Sequence, residues 1–251
     1  MSHDDATAAI EIAAIAGARL VQVRAAGGEP GALKAAGDAA SQRVIADELA
    51  RRFPTDAVLS EEAADDSDRS TNRRVWIVDP LDGTREFSEP PRDDWAVHVA
   101  LVEDGELVVG AVALPAMDLT LSSAGPFVAR GKLDRSPRVL VSRTRPTEHA
   151  VAVADALGGE LVPMGSAGAK TMAVVRGEAD VYAHSGGQWE WDSAAPVAVA
   201  AAAGLHVSRL DGSPLRYNQA AAWLPDLLVC RPELAAIVIE TCAAVPRTVT
   251  A

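Results

Sequence analysis

The 251-residue chain has little of what would place it in several common functional classes. It has two cysteines, Cys230 and Cys242, in no metal-like spacing, so it encodes neither a disulfide framework nor a zinc site, and both read as buried thiols. No apolar run reaches the roughly 18 uncharged residues of a membrane span. The N-terminus, Met1-Ser2-His3-Asp4-Asp5, is acidic where a secretory signal is basic, so the expectation is a cytoplasmic protein with no membrane partner. Positive charge is in deficit: 23 Lys and Arg stand against 35 Asp and Glu, a net charge of −12. That balance argues against binding polymeric nucleic acid, whose phosphates would be repelled. A nucleophilic Ser or Cys motif, an internal repeat and a low-complexity linker are also missing. What is present is a chain with 49% hydrophobic residues, long enough to bury a large core in one or two domains. An acidic protein can still bind a phosphorylated small molecule where bound cations invert the local field.

Helical spacing of Ile12, Ile15, Ala16, Arg19, Leu20 and Val23 predicts a helix over about residues 5–26, closed by Gly27-Gly28-Glu29-Pro30-Gly31. A second helix is predicted over about 38–53, with Val44, Ile45 and Leu49 facing inward and Pro54 stopping it. A short strand at 57–59 delivers Ser60-Glu61-Glu62, and a polar stretch leads to a strand at 75–78. Residues 95–102, the turn Asp104-Gly105 and residues 107–114 read as a hairpin, with further antiparallel strand at 119–122 and 127–129. From about Arg138 strands and helices alternate: strands near 139–141, 161–163, 180–183, 205–208 and 227–230, helices near 147–157, 167–176, 192–203 and 233–244. The expected fold class is a layered α+β and α/β sandwich. An N-terminal α+β unit, 1–135, would carry most of the candidate ligands. A C-terminal α/β unit, 136–251, would supply Asp192 and substrate contacts, with the site between them.

The chemistry concentrates in Val75-Trp76-Ile77-Val78-Asp79-Pro80-Leu81-Asp82-Gly83-Thr84. Asp79 precedes a proline, which favours extended geometry and is expected to end the strand there. Asp82 follows three residues later, near enough for both carboxylates to reach one cluster. Hard cations such as Mg²⁺ take carboxylate and backbone carbonyl oxygens, so the Leu81 carbonyl is a further candidate ligand. Gly83 lets backbone N–H groups approach an anion, and Thr84 adds a hydroxyl and another N–H. Spacing alone fits an ordinary Asp-Gly turn equally well, as at Asp104-Gly105 and Asp211-Gly212. An EF-hand does not fit, because its alternating ligands and terminal glutamate are missing.

Asp79-Pro80-Leu81-Asp82-Gly83-Thr84 resembles the signature of the inositol-monophosphatase-like family of metal-dependent, lithium-sensitive phosphatases. Leu59-Ser60-Glu61-Glu62 upstream is similar to that family's glutamate segment, and Trp191-Asp192-Ser193-Ala194-Ala195 downstream to its metal-aspartate motif. The three stand in the family's order over most of the chain. The resemblance implies the family's α-β-α-β-α sandwich and two or three Mg²⁺ ions. It implies that Glu61, Asp79 and the Leu81 carbonyl hold one ion, while Asp79, Asp82 and Asp192 hold a second. Glu61 and Thr84 would orient and deprotonate the attacking water, and Gly83 and Thr84 N–H groups would hold the phosphate, with Asp82 and Asp192 facing the substrate as well. A homodimer is the family expectation. The family's segment for a third, looser ion is reduced here to Asp38, with Ala35 where a threonine would stand, so the number of ions stays open.

The flanking residues narrow the substrate. Thr84-Arg85-Glu86-Phe87 and Glu190-Trp191-Asp192 resemble the CysQ-type branch, whose members remove the 3′-phosphate of adenosine 3′,5′-bisphosphate (PAP), a by-product of sulfate activation. The resemblance thus implies hydrolysis of PAP, and of the sulfated nucleotide PAPS as a further substrate. The glutamate that inositol monophosphatases carry seven residues before the metal aspartate is replaced by Ser185. Gly165, Ser166 and Lys170, at a helix entry, are candidates for a second phosphate, with a plain helix entry and a snorkelling lysine as the alternative. Tyr217 is a candidate for stacking on adenine or a plain surface aromatic; Trp189 and Trp191 read as packing, His98 and His184 as structural. Fructose-1,6-bisphosphate or inositol-phosphate hydrolysis is an alternative activity, and a metal- and nucleotide-binding protein without turnover is an alternative of another class.

Overall fold

The computed structural model describes residues 3–64, 67–127, 131–144 and 146–246. Helix α1 (His3–Ala26) buries Ala9, Ile12, Ala16 and Leu20, one face at helical spacing. By length and composition alone Asp4–Ala26 would also pass for a membrane span, but that buried face is spent on α2 and on the first sheet. Helix α2 (Pro30–Arg52) starts eight residues earlier than the spacing predicts. Pro30 is tolerated at its N-terminus, where a missing N–H has no helical partner to lose. Gly37 lies inside it for a packing reason: a Cβ there would come within 2.7 Å of Phe87 Cε1 and 2.9 Å of Leu81 Cδ2. The glycine lets α2 press directly against the acidic motif.

The first sheet contains β1 (Ala57–Ser60), β2 (Arg74–Asp82), β3 (Ala96–Glu103), β4 (Glu106–Leu114) and β5 (Leu119–Ser122), in that spatial order. β1 and β2 are parallel and the remaining pairs antiparallel. Both faces are covered, so β2 is apolar on each: Val75 and Ile77 enter one core, Trp76 and Val78 the other. β2 does not end at Asp79, as the following proline led one to expect; it runs on to Asp82 and joins α3 (Thr84–Phe87) through Gly83. The strand expected at 127–129 is not formed at Phe127, and its other residues lie outside the described ones.

The second half contains β6 (Arg138–Ser142), α4 (Glu148–Leu157), β7 (Glu160–Met164), α5 (Ala167–Val175), β8 (Val181–His184), β9 (Gln188–Trp189), α6 (Glu190–Ala202), β10 (His206–Ser208), β11 (Trp223–Leu224), β12 (Leu227–Cys230) and α7 (Ala235–Ala244). The second sheet has the order β10-β12-β8-β6-β7, with β6 parallel to both β7 and β8. β9 and β11 form a separate antiparallel ribbon, which the sequence pattern did not reveal. α5 and α6 lie between the two sheets in a shared core, which takes Ile77 and Val112 from one side, Tyr182 and Val229 from the other, and Met172 and Val199 from the helices. α1 and α2 cover the outer face of the first sheet, and α4 and α7 that of the second. The layers therefore run α-β-α-β-α.

α6 begins two residues earlier than expected, so Asp192 is its third residue rather than its start, and Pro196 lies beyond the first turn. Pro196 has no N–H to give the carbonyl of Asp192 four residues back, which loosens the helix beside that residue.

Candidate active site

An irregularity in β2 brings the motif's two aspartates together. In an even strand, residues three apart point to opposite faces. Here Asp79 pairs with His98 and Asp82 with Ala96, so three steps along β2 match two along β3. The extra residue is a bulge, and it returns Asp82 to the side of Asp79. Pro80 belongs in this stretch because it has no N–H to give a ladder. Its carbonyl instead accepts the Ser41 hydroxyl of α2 at 2.6 Å.

Asp192 arrives from the other half of the chain. Ligand oxygens of Asp79, Asp82 and Asp192 all lie within 4.8 Å of one another. Asp79 is 1% exposed, and its Oδ1 accepts the Leu81 N–H at 2.9 Å. Asp192 Oδ2 accepts the Trp189 N–H at 2.6 Å across the first turn of α6. Asp82 Oδ2 accepts the Ser166 hydroxyl and, at 2.6 Å, the Gly168 N–H. His98 Nε2 stands 3.2 Å from the same oxygen, close enough for an ion pair but out of line for a hydrogen bond.

Asp82 apart, these carboxylates are crowded with too little to offset their repulsion. Burial, followed by the charges of Asp82, Glu61 and Asp192, raises Asp79 well above the usual carboxylate range. Burial and Asp82 push Asp192 up to about 7, against the opposing Trp189 hydrogen bond. Glu61, at the turn after β1 and open to solvent on one side, is pushed up to about 7 by desolvation and by Asp82, Glu62 and Asp38, while a hydrogen bond with Asp79 lowers it. Asp38, on α2, rises to about 6 through burial and Glu62. Asp82 alone moves down, to about 2: its burial is outweighed by His98, Ser166 and Gly168. A set of carboxylate oxygens converging at low exposure, most of them disfavoured as anions, fits a hard divalent cation. Bound positive charge would relieve the repulsion that raises their affinity for protons.

Around the cluster, Thr84 Oγ1 donates to the Leu81 carbonyl at 3.1 Å. Gly83 has φ 85° and ψ 41°, and a Cβ there would stand 3.0 Å from Ser166 Cβ and 3.1 Å from the Asp94 carbonyl oxygen. Conformation and space both call for glycine. The polar groups of the 165–170 segment, where the sequence allowed a second-phosphate site or a plain helix entry, make hydrogen bonds within the protein. Gly165 N–H is given to Asp94 Oδ2 at 2.6 Å, and the Ser166 hydroxyl is given to Asp82. Lys170 is 6% exposed, donates to the carbonyls of Gly165 and Ser166, and lies over the Tyr182 ring. In these contacts the groups brace Asp82 and the entry of α5. Tyr217 is likewise 3% exposed in the shared core, its hydroxyl 3.1 Å from Ser193 Oγ, with no ring face for a base. A cavity of about 600 Å³ beside Tyr217, lined also by Leu107, Val197 and Ala201, contains none of the carboxylates.

Sequence reasoning missed His98 and Ser41. His98 Nδ1 meets the Trp191 carbonyl oxygen at 3.0 Å while Nε2 faces Asp82, so this ring touches both halves of the cluster. The histidine lies opposite Asp79 only through the β2–β3 register, which the long 83–95 connection leaves unset in the sequence. Ser41 likewise had no sign, since its partner is a backbone carbonyl on a distant strand.

Comparison with known proteins shows the family. The model of the inositol monophosphatase family matches residues 3–242. A Mycobacterium bovis protein named 3′-phosphoadenosine 5′-phosphate phosphatase is 51% identical over 242 residues, covering 91% of this chain and 89% of its own. The 3′(2′),5′-bisphosphate nucleotidase CysQ of Escherichia coli is 33% identical over 200 residues, 75% of this chain and 81% of its own. Among solved structures, inositol monophosphatase II of Staphylococcus aureus shares the fold with a TM-score of 0.79 at 21% identity, over 93% of each chain. By the family match, by these relatives and by its layered sandwich, the chain belongs to the inositol monophosphatase family.

Proposed function

We propose that the protein is a Mg²⁺-dependent phosphomonoesterase that hydrolyses the 3′-phosphate of PAP to AMP and phosphate, with PAPS as a further substrate, in the disposal of nucleotides left by sulfate activation. The observation that carries the reading is the convergence of Asp79, Asp82 and Asp192 within 4.8 Å, in a chain half identical to a protein named for that reaction. In this reading Asp79, Asp82, Asp192, Glu61 and the Leu81 carbonyl hold two Mg²⁺ ions, and Asp38 stands where it would help a third. When bound, the ions acidify water and neutralise charge on the transferring phosphoryl group and the departing oxygen.

The chain's own groups do the rest. Thr84 Oγ1 has committed its proton to the Leu81 carbonyl, so its lone pairs are left to accept a hydrogen bond from the attacking water. Glu61, with its affinity for protons raised toward neutrality, takes the proton as the water oxygen bonds to phosphorus. The bond from phosphorus to the ribose 3′-oxygen breaks on the opposite side, and that oxygen takes up a proton to become the hydroxyl of AMP. N–H groups of Gly83 and Thr84, at the entry of α3, hold the non-bridging oxygens. His98, Ser166 and Gly168 keep Asp82 ionised and in place.

The site would lie between units 1–135 and 136–251, with Asp192 the contribution of the second. A cytoplasmic homodimer is the setting we propose. The test is kcat/KM with Mg²⁺ on PAP, fructose-1,6-bisphosphate and inositol-1-phosphate. PAP is expected to be the best of the three; a preference for either of the others would overturn the assignment of substrate.

A further inference from the structure

Of the two tryptophans that read as packing in the sequence, Trp191 packs against the shared core, but Trp189 lies on the surface beside Trp223. Trp189 is 46% exposed and Trp223 48%, although large hydrophobic side chains are ordinarily buried. They face each other across the β9–β11 ribbon, where Trp189 and Trp223 are direct partners. Trp189 stacks on Trp191 with ring centroids 5.1 Å apart and planes 12° from parallel, and Trp223 meets Trp189 edge to face at 5.1 Å. The ribbon is held on both sides of Trp189, by Gly187 N–H to the Pro225 carbonyl at 3.1 Å and Glu190 N–H to the Ala222 carbonyl at 3.0 Å. The next loop is tied to the same helix entry, because the Glu190 carboxylate accepts the N–H groups of Asn218 and Gln219. The rings are thus fixed before any ligand arrives, which lowers the entropy lost on binding.

This fixed surface adjoins the carboxylate cluster. The backbone N–H of Trp189 is itself a hydrogen-bond donor to Asp192, and the Trp191 carbonyl meets His98. A nucleoside 3′-phosphate carries its base and its phosphate on one sugar ring, so a phosphate held at the cluster brings the base close by. We propose that Trp189 and Trp223 form the stacking platform for the purine base of the substrate, and so distinguish nucleotides from other phosphate esters. The inference rests on the PAP reading for its choice of ligand. Trp191 covers one face of Trp189 and the two exposed rings stand at 80°, so a base that stacks flat on one of them meets the edge of the other. It also assigns to Trp189 and Trp223 the task that Tyr217, buried in the core, has no free face to perform.

The experiment uses AMP, the expected product, so that it reads binding apart from turnover. With Mg²⁺ present, AMP is titrated against intrinsic tryptophan fluorescence and by calorimetry, for the wild type and for Trp189→Ala, Trp223→Ala and Trp189→Phe; inorganic phosphate is titrated by calorimetry in parallel. Expected are quenching in the wild type, a roughly tenfold or greater weakening of AMP in each alanine variant, a much smaller effect on phosphate, and recovery in Trp189→Phe. AMP affinity unchanged, or AMP and phosphate weakened equally, overturns the proposal. So does a change in sedimentation of the variants without a change in AMP affinity, which would give this surface to a second copy of the chain. Failure of the wild type to hydrolyse PAP would count against the proposed reaction; loss of the AMP effect counts against the platform alone.

Discussion

The imidazole of His98 stands 3.2 Å from Asp82 through Nε2 and 3.0 Å from the Trp191 carbonyl through Nδ1. One buried ring on β3 thereby ties the aspartate of the β2 bulge to the helix that carries Asp192. Burial lowers its affinity for protons, but Asp82, with the Trp191 carbonyl and Asp192, more than offsets this, so the net shift is upward. Replacement by Gln or Ala is expected to cost ten- to a hundredfold in Mg²⁺ affinity or in kcat/KM, the usual scale for partners behind a ligand. Mg²⁺ titration of activity checks it; unchanged Mg²⁺ dependence in His98→Ala would assign the ring to packing alone.

Asp192→Asn and Asp82→Asn should each lower phosphate release from PAP by orders of magnitude with the fold retained. For Asp192 the stability effect has the opposite sign. Removing one of several crowded carboxylates should raise the melting temperature of the cation-free protein at pH 8 while abolishing most of the gain on adding Mg²⁺. Melting with and without chelator decides it, and a lower cation-free melting temperature would contradict the crowding.

The same groups set a pH dependence. Glu61 and Asp192 are raised to about 7 in the folded chain, above the ordinary values of about 4 that apply when unfolded. A raised folded value contributes stability that is fully present below about pH 4 and is lost as pH rises through about 7. The cation-free protein should therefore lose stability from pH 5 to pH 8, and stabilisation by Mg²⁺ should grow over that interval as protons cease to compete. Thermal melts at fixed Mg²⁺ across this range are the measurement; a shift independent of pH would contradict it.

Gly37→Ala tests how closely α2 meets the motif. Alanine is favoured over glycine in a helix interior by about 1 kcal/mol. Here the added methyl would stand 2.7 Å from Phe87 and 2.9 Å from Leu81, so overpacking of about 1–3 kcal/mol should reverse the sign. Denaturant unfolding is expected to show net destabilisation, together with weaker activity, because the Leu81 carbonyl is one of the groups proposed to hold an ion.

Lys170→Met separates a brace from a phosphate ligand. Its ammonium is buried against two carbonyls and the Tyr182 ring. Loss of those contacts should lower the melting temperature, with the KM for PAP little changed. A large rise in KM without loss of stability would restore the lysine to the substrate.

Much of the fold was legible because its signals are local. Helical spacing in α1, the Asp104-Gly105 turn between β3 and β4, and the helix near 147–157 that forms as α4 each depend on residues a few positions apart. The start of α2, the run of β2 through Pro80 and the β9–β11 ribbon were not legible, since each is decided by what packs or pairs from elsewhere.

The sequence by itself determined which residues could serve the chemistry: Glu61, Asp79, Asp82, Thr84 and Asp192 are oxygen donors in motifs whose order marks the family. Only the tertiary structure decided how the other candidates are used. Lys170 and Tyr217 looked available, but burial consumed one ammonium and both faces of one ring. Trp189 read as packing and His98 as structural, yet the ring of the first lies open on the surface and that of the second stands between Asp82 and the Trp191 carbonyl. The reason is physical: residue type sets what a side chain can donate, accept or stack upon, while burial and partners from distant strands set whether that capacity is still free.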